Sequence, residues 1–193
     1  MLINWEVEPV GADLERSIVE ECVGSAHGDL DKVRELVERH PELVNARAPW
    51  NETPVEAAAQ LGRRDIIEYL LEKGAPLDLF TACVLGRRDV VAGELAADPA
   101  RARARGVHDL PALYFAAIGG QREIAELLMA AGAGVNDAAP AAAPIHGAVM
   151  GRSAEMVSWL LARGADPSAR DFEGRSAPQL AEAMGRPDLA HLF

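Results

Sequence analysis

A short motif recurs along this 193-residue chain at nearly constant spacing, and this repetition constrains the fold more than any other feature. In the motif, a glycine is followed three residues later by an acidic residue and then by two aliphatic residues, as after Gly62, Gly86 and Gly120. The six copies, some of them looser, begin at residues 28, 62, 86, 120, 152 and 185, which lie 34, 24, 34, 32 and 33 residues apart. Such a period is typical of an array of repeats stacked side by side.

Each copy of the motif lies between two predicted helices. Before the motif stands a short alanine-rich stretch such as residues 57–59, whose small side chains allow neighbouring helices to pack closely. After it, apolar residues follow at helical spacing, as at residues 66–67 and 70–71, and a glycine ends the pattern. Thr53 and Ser176 stand where the next helix begins and are suited to cap it. The chain is therefore predicted to be all-α, with two helices in each unit.

Several segments resemble motifs of the ankyrin repeat family. Thr-Pro-Val-Glu-Ala-Ala at 53–58 is similar to the family's Thr-Pro-Leu-His-x-Ala motif, and Pro-Ile-His at 144–146 retains part of it. Gly-Ala-Asp at 164–166 and Gly-Ala at 74–75 are similar to the ending of a repeat. The resemblance covers about residues 13–193. It implies a repeat solenoid of stacked helix pairs, joined by short β-hairpin fingers, whose concave face binds other proteins.

The spacing predicts an N-terminal segment, residues 1–12, followed by a single array, residues 13–193. The predicted repeats cover about residues 13–47, 48–78, 79–105, 106–137, 138–169 and 170–193. The 24-residue interval predicts that one finger is missing, which leaves a gap in the middle of the row. In the N-terminal segment, Ile3, Trp5 and Val7 alternate with polar residues, which suits either a short strand or a loose tail.

Composition and charge exclude several classes of protein. Hydrophobic residues make up 49% of the chain and charged residues 25%, which excludes wholesale disorder. The net charge of −11 disfavours binding to nucleic acid. No apolar run approaches the about 20 residues of a membrane span, and the N-terminus does not resemble a signal peptide. We therefore expect a cytoplasmic monomer that binds neither nucleic acid nor membranes.

No pattern of residues predicts catalysis, a metal site or a cofactor. The five histidines lie far apart, and none pairs with a cysteine or an acid at ligand spacing. Cys22 and Cys83 form no Cys-x-x-Cys pair, and we expect both to be small buried residues. The resemblance implies that His146 hydrogen-bonds between adjacent turns. An enzyme remains an alternative if the fold brings His108, His146 and acidic residues within hydrogen-bond distance.

The candidate binding residues come from two positions of the repeat. The resemblance implies that the residue pair before the motif faces the groove, and in each of the last five copies this pair includes an apolar residue. These pairs are therefore expected to form an apolar stripe along the groove. The tips of the connections carry large side chains such as Trp50 and Phe172, and tryptophan is favoured at binding hot spots. The predicted partner-binding residues are Trp50, Glu52, Gln60, Leu61, Leu85, His108, Leu110, Ile118, Met150, Phe172, Arg175 and Met184.

Three arginines alternate with alanine at positions 101, 103 and 105. In an extended strand their side chains point to one side and form a basic patch that binds carboxylates of a partner. The alternative is a solvated hairpin whose arginines pair with neighbouring acids. Both interpretations assume a strand.

Taken together, these patterns predict a non-catalytic module that binds another protein through its concave face and finger tips. A dedicated inhibitor or immunity-type protein of one enzyme or toxin is the first alternative. An enzyme with a site in the groove and self-association through one end of the array are further alternatives.

Overall fold

The computed structural model describes residues 15–193, and within this range the chain forms twelve α-helices. They follow one another as six pairs, and each predicted repeat contains one pair. The all-α solenoid predicted from the motif spacing is therefore confirmed. The predicted N-terminal segment, with the strand or tail considered for residues 3–7, lies outside the described residues. The predicted boundary between this segment and the array also lies outside them.

The twelve helices alternate between two rows, and the odd-numbered helices form the first row. These are α1 (Arg16–Ser25), α3 (Pro54–Gln60), α5 (Leu79–Leu85), α7 (Ala112–Ile118), α9 (Pro144–Met150) and α11 (Ala177–Ala183). The second row comprises α2 (Leu30–Arg39), α4 (Arg64–Glu72), α6 (Arg88–Ala97), α8 (Arg122–Ala130), α10 (Ala154–Leu161) and α12 (Pro187–Ala190). Short 3-10 helices in the connections span Pro41–Asn45, Pro99–Arg103 and Val107–Asp109. In residues 15–193, no helix has both the length and the apolar composition needed to cross a bilayer.

Local hydrogen bonds stabilise the starts of the first-row helices α3 and α11, at the positions predicted. Thr53 caps α3 because its hydroxyl accepts from the backbone N–H of Glu56 at 3.4 Å. The Glu56 carboxylate accepts in return from the backbone N–H of Thr53 at 2.8 Å, which completes a capping box. At α11, the Gln179 side chain accepts from the backbone N–H of Ser176 at 3.0 Å. The cap positions read from the sequence are thus confirmed for Thr53 and Ser176.

The glycine of the repeated motif has a backbone explanation. Gly62, Gly86 and Gly120 have φ angles of 66°, 74° and 67° at the turn between the two helices of their pairs. This left-handed region suits glycine because a Cβ atom disfavours it. Arg152 occupies the same position of the fifth pair with φ of 57°. The motif therefore starts the turn, and in the fifth repeat a non-glycine residue adopts the strained conformation.

Close packing of the first row depends on small residues. The odd-numbered helices contact one another in chain order, and each also contacts its even-numbered partner. A Cβ atom at Gly119 would overlap the carbonyl oxygen of Val84, so α5 and α7 approach until their backbones touch. Tyr69 and Trp159, in second-row helices, are 8% and 6% exposed, so both side chains belong to the core.

The shortened third repeat brings its two neighbours together. Residues 73–78 are all that joins α4 to α5, whereas residues 98–111 join α6 to α7. The missing finger predicted from the 24-residue spacing is confirmed. Across the gap, the Tyr114 hydroxyl donates to the backbone carbonyl of Gln60 at 3.0 Å. The second and fourth repeats are therefore in direct contact, although the third lies between them in the chain. This contact makes the gap left by the missing finger narrower than predicted.

The connections contain less β structure than the resemblance implied. Between residues 15 and 193 they form one isolated bridge, from Arg105 to Pro111. The segment Pro99–Arg103 is a 3-10 helix because the Asp98 carboxylate accepts from the backbone N–H of Ala100 at 2.9 Å and Pro99 occupies the first turn. The strand assumed for the alternating arginines is therefore wrong.

Without that strand, the three arginines do not form one basic patch. Arg101 pairs with Glu94 at 2.9 Å, and Arg103 donates to the backbone carbonyl of Gly132 at 2.8 Å. Arg105 donates to two backbone carbonyls, each at 3.0 Å. These guanidinium groups hold connections to their neighbours, so they are structural contacts in this fold.

Candidate partner-binding site

A cavity of about 720 Å³ opens on the side of the odd-numbered helices. Its lining comes from α3, α7, α9, α11 and the connections, and no lining residue belongs to an even-numbered helix of the described chain. The side chains of Leu61, Leu110, Met150, Leu180 and Met184 make its wall largely apolar. Its volume lies within the range of about 300–1,000 Å³ that is usual for pockets that hold a small molecule or an inserted side-chain group of similar size.

Most of the predicted partner-binding residues meet at this cavity. Eight of them line it, namely Gln60, Leu61, His108, Leu110, Met150, Phe172, Arg175 and Met184. Trp50, Glu52, Leu85 and Ile118 do not line it. Stacking of the repeats thus gathers residues that are more than one hundred positions apart, such as Leu61 and Met184, around one space.

Leu85 and Ile118 interrupt the predicted apolar stripe. They are 6% and 4% exposed, so the prediction of an exposed stripe is wrong at these two positions. A Cβ atom at Gly62 would lie 3.0 Å from Cγ1 of Ile118, because α3 and α7 meet past α5 and cover this part of the row. Leu61 and Met184, which occupy the position of Leu85 in other repeats, are partly exposed.

The two aromatic side chains at the tips behave differently. Trp50 is 45% exposed, and its indole Nε1 donates to Oε2 of Glu52 at 2.8 Å, so the ring packs back against its own connection. Phe172 is 74% exposed at the rim of the cavity. Its backbone N–H donates to the carbonyl of Ala141 at 2.9 Å, which links two adjacent connections and holds the ring at the rim.

The cavity adjoins a buried carboxylate that stands between two histidines. Glu52 is fully buried. Its Oε2 lies 3.6 Å from Nε2 of His27, and its Oε1 lies 3.6 Å from Nε2 of His108. Both imidazole rings line the cavity. Glu52 lies in the connection between α2 and α3, and His108 in the connection between α6 and α7. These two connections meet because the finger between α4 and α5 is missing.

The two arginines at the cavity already have acidic partners. Arg63 binds Asp65 at 3.0 Å, and Arg175 binds Asp171 at 2.9 Å and Glu173 at 2.7 Å. Burial alone raises the pKa of the Asp171 carboxyl, but hydrogen bonds from the backbone and guanidinium of Arg175 outweigh it and hold this pKa below its usual range. The charges of these side chains are therefore largely compensated within the protein.

His146 links two adjacent turns, as the resemblance implied. Its side chain is fully buried, and its Nδ1 accepts from the backbone N–H of Ala143 at 3.1 Å. Its Nε2 lies 3.3 Å from the backbone carbonyl of Arg175, to which it donates. Both ring nitrogens are used in holding the connections that border the cavity.

We expect His146 to make the fold sensitive to mild acid. Burial lowers its pKa from the ordinary 6.5, so the unfolded chain binds the proton more readily than the folded chain. The stabilisation is present above the unfolded pKa and is lost as the pH falls through the folded pKa. Between about pH 7.5 and pH 5.5, the melting temperature of the wild type should therefore decrease by more than that of His146→Gln. Equal differences in the two proteins would contradict this role of His146.

The structure does not bring His108 or His146 within hydrogen-bond distance of an acidic side chain of the described residues. His108 stays 3.6 Å from Glu52, beyond hydrogen-bond distance, and His146 uses both nitrogens on the backbone. Burial raises the pKa of the Cys22 thiol to about 11 and that of Cys83 further, so both thiols stay protonated at neutral pH. Within residues 15–193, no three His, Cys, Asp or Glu side chains are arranged to hold a metal ion.

Nine of the residues that line the cavity were not among the predicted partner-binding residues, and for two of them, His27 and Tyr114, a signal exists in the sequence. His27 directly precedes Gly28, the same position before the motif that Leu61 and Met184 occupy. Tyr114 stands six residues before Gly120, as His146 stands six residues before position 152. Extending the stripe to the first repeat, and adding the histidine position of the motif in every repeat, would have included both.

Comparison with known proteins identifies the same type of repeat. The family model described as "Ankyrin repeat" matches residues 50–91 and 142–172, which contain both Thr-Pro-Leu-His-like segments. BCL-6 corepressor-like protein 1 of Homo sapiens is 31% identical to this chain over 142 residues. The alignment covers 73% of this chain and 6% of the human protein. The similarity therefore concerns a small part of that protein.

Proposed function

Because this chain is an ankyrin repeat protein, and such repeats are generally protein–protein interaction modules, we propose that it binds one partner protein without catalysis. The proposed binding site is the concave side of the array, where the cavity lies, together with the connection tips at its rim. The observation that supports it most strongly is the apolar cavity of about 720 Å³ beside the exposed ring of Phe172.

The physical basis of binding would be burial of the apolar wall. Side chains that remain partly exposed around the cavity, such as Leu61, Met150 and Met184, lose contact with water when a partner covers them. Methionine is flexible and adapts to the shape of an inserted side chain. The net charge of −11 favours a partner with positive charge around its binding segment, because complementary charges guide association.

An inhibitor or immunity-type protein is a special case of the same function. The described residues are repeats throughout, so this part of the chain would act by occupying or masking what it binds. A basic enzyme or toxin as the main species captured would favour this case. The proposal further includes a cytoplasmic location and a monomer, and light scattering that gives twice 20.6 kDa would contradict the monomer.

The test is affinity capture from lysate of the native host with the full chain and with the double variant Phe172→Ser, Met184→Glu. We expect the variant to keep the wild-type melting temperature and to capture at least about tenfold less of the bound species, because both changes alter the rim and wall of the cavity. Leu77→Glu is the matched control, since Leu77 is 41% exposed and does not line the cavity. Equal capture by the double variant and Leu77→Glu would contradict the proposed site.

A further inference from the structure

A buried carboxylate oxygen beside the cavity lacks a hydrogen-bond donor. Oε2 of Glu52 accepts from the indole of Trp50 at 2.8 Å, whereas Oε1 has no hydrogen-bond partner in the described chain. Among the ion-pair contacts within 4 Å, the carboxylate has two imidazoles, each at 3.6 Å, and no arginine or lysine of residues 15–193. Burying a carboxylate without a paired charge is costly. The free oxygen therefore points to a ligand that brings both a donor and a positive charge.

Neither imidazole makes a hydrogen bond to the buried carboxylate, since each stays 3.6 Å away. The ring nitrogens of His27 contact other groups: Nδ1 lies 3.2 Å from the backbone carbonyl of Gly24, and Nε2 lies 2.6 Å from the side-chain nitrogen of Gln60. The second imidazole, His108, is beyond hydrogen-bond distance from Oε1.

The free oxygen lies next to the cavity proposed to hold the partner. His27, Gln60 and His108 line the cavity, and two of them contact the Glu52 carboxylate. Leu61, which is partly exposed, lines it as well and supplies apolar surface, whereas Leu110 is only 3% exposed. The side chain of His108 is 44% exposed and its Nε2 lies 3.6 Å from Oε1, so a ligand that reaches Oε1 from the cavity would have to displace this ring into solvent.

We propose that this corner of the cavity is a pocket for a lysine side chain of the partner, a refinement that rests on the proposed function. The lysine ammonium donates to Oε1 of Glu52, and its methylene stem packs along Leu61. Lysine fits better than arginine because Trp50 occupies Oε2, which leaves one oxygen, whereas a guanidinium fork binds two. The described His and acidic side chains are not arranged for a metal ion, which disfavours a bare cation.

A library of phage-displayed random 12-residue peptides, selected on the immobilised full chain, supplies the probe. We expect the selected peptides to share a lysine flanked by apolar residues. One such peptide and its norleucine analogue, which keeps most of the stem and removes the ammonium, are then titrated calorimetrically. The lysine-to-norleucine change should weaken binding about tenfold or more to the wild type and less than about twofold to Glu52→Gln. Glu68→Gln, an exposed glutamate of α4, is the matched control and should keep the tenfold loss.

Each result of this cycle decides between the pocket and the wider proposal. An equal loss on Glu52→Gln and the wild type, or peptides without lysine, would overturn the lysine pocket and leave binding in the cavity intact. Peptides that bind Phe172→Ser, Met184→Glu as tightly as the wild type would instead contradict the proposed function. The arginine analogue on the wild type tests the pocket even if Glu52→Gln fails to fold. Binding as tight as that of the lysine peptide would overturn the proposal, and weaker binding supports it.

Discussion

Replacing Leu70 by alanine is expected to lower the free energy of unfolding by about 2–5 kcal/mol. Leu70 lies in α4, is fully buried and is among the largest side chains of the core. Its removal leaves a cavity between the helices that surround it, because close-packed neighbours collapse only partly. Urea unfolding followed by circular dichroism measures the difference.

Leu77→Ala is the matched control for this prediction. Leu77 has the same side chain but is 41% exposed in the short connection between α4 and α5, so its truncation should change the stability by less than about 0.5 kcal/mol. A Leu70→Ala variant with the wild-type unfolding curve would show that the register of α4 is wrong. Since each repeat is stabilised mainly by its neighbours, a large effect also shows that α4 is coupled to the rest of the array.

Replacing Gly151 by alanine is expected to destabilise the protein by about 1–3 kcal/mol, although the backbone conformation there suits any residue. Its φ is −70°, so strain in the backbone is not the cause. A Cβ atom at this position would overlap the carbonyl oxygen of Ile118 and lie 2.9 Å from the carbonyl carbon. Because backbone cannot move aside as a side chain can, α9 must shift away from α7.

Gly93→Ala is the matched control, and we do not expect it to destabilise the protein. Gly93 lies inside α6, and a Cβ atom there meets nothing within 4 Å. Alanine should therefore leave the stability unchanged or raise it by up to about 1 kcal/mol, since glycine is the poorer helix former. Thermal unfolding of both variants decides the matter, and a Gly151→Ala protein as stable as Gly93→Ala would refute the proposed contact between α7 and α9.

Helix pairs, caps and turns were predictable because they depend on neighbouring residues. The motif around Gly62 indicates a tight turn, and Thr53 with Glu56 indicates the start of a helix. Neither signal depends on which repeats pack next to it. The short spacing before Gly86 likewise predicts the missing finger. The strand at Arg101–Arg105 failed because the alternation of arginine and alanine was weighed above Asp98-Pro99, a local signal for a helical turn.

The repeat spacing, the helical pattern within each unit and the family motifs thus determined the order and nature of the helices, and with them the face on which most candidate residues lie. Tertiary structure decided which of those residues are accessible and what surrounds them. Ile118 is buried and Glu52 meets His108 because the second and fourth repeats touch past a shortened third one. The contact between the second and fourth repeats depends on the distance between helices that are not consecutive in the chain. The periodicity of the sequence could not predict it, because a period relates each repeat only to the one that follows.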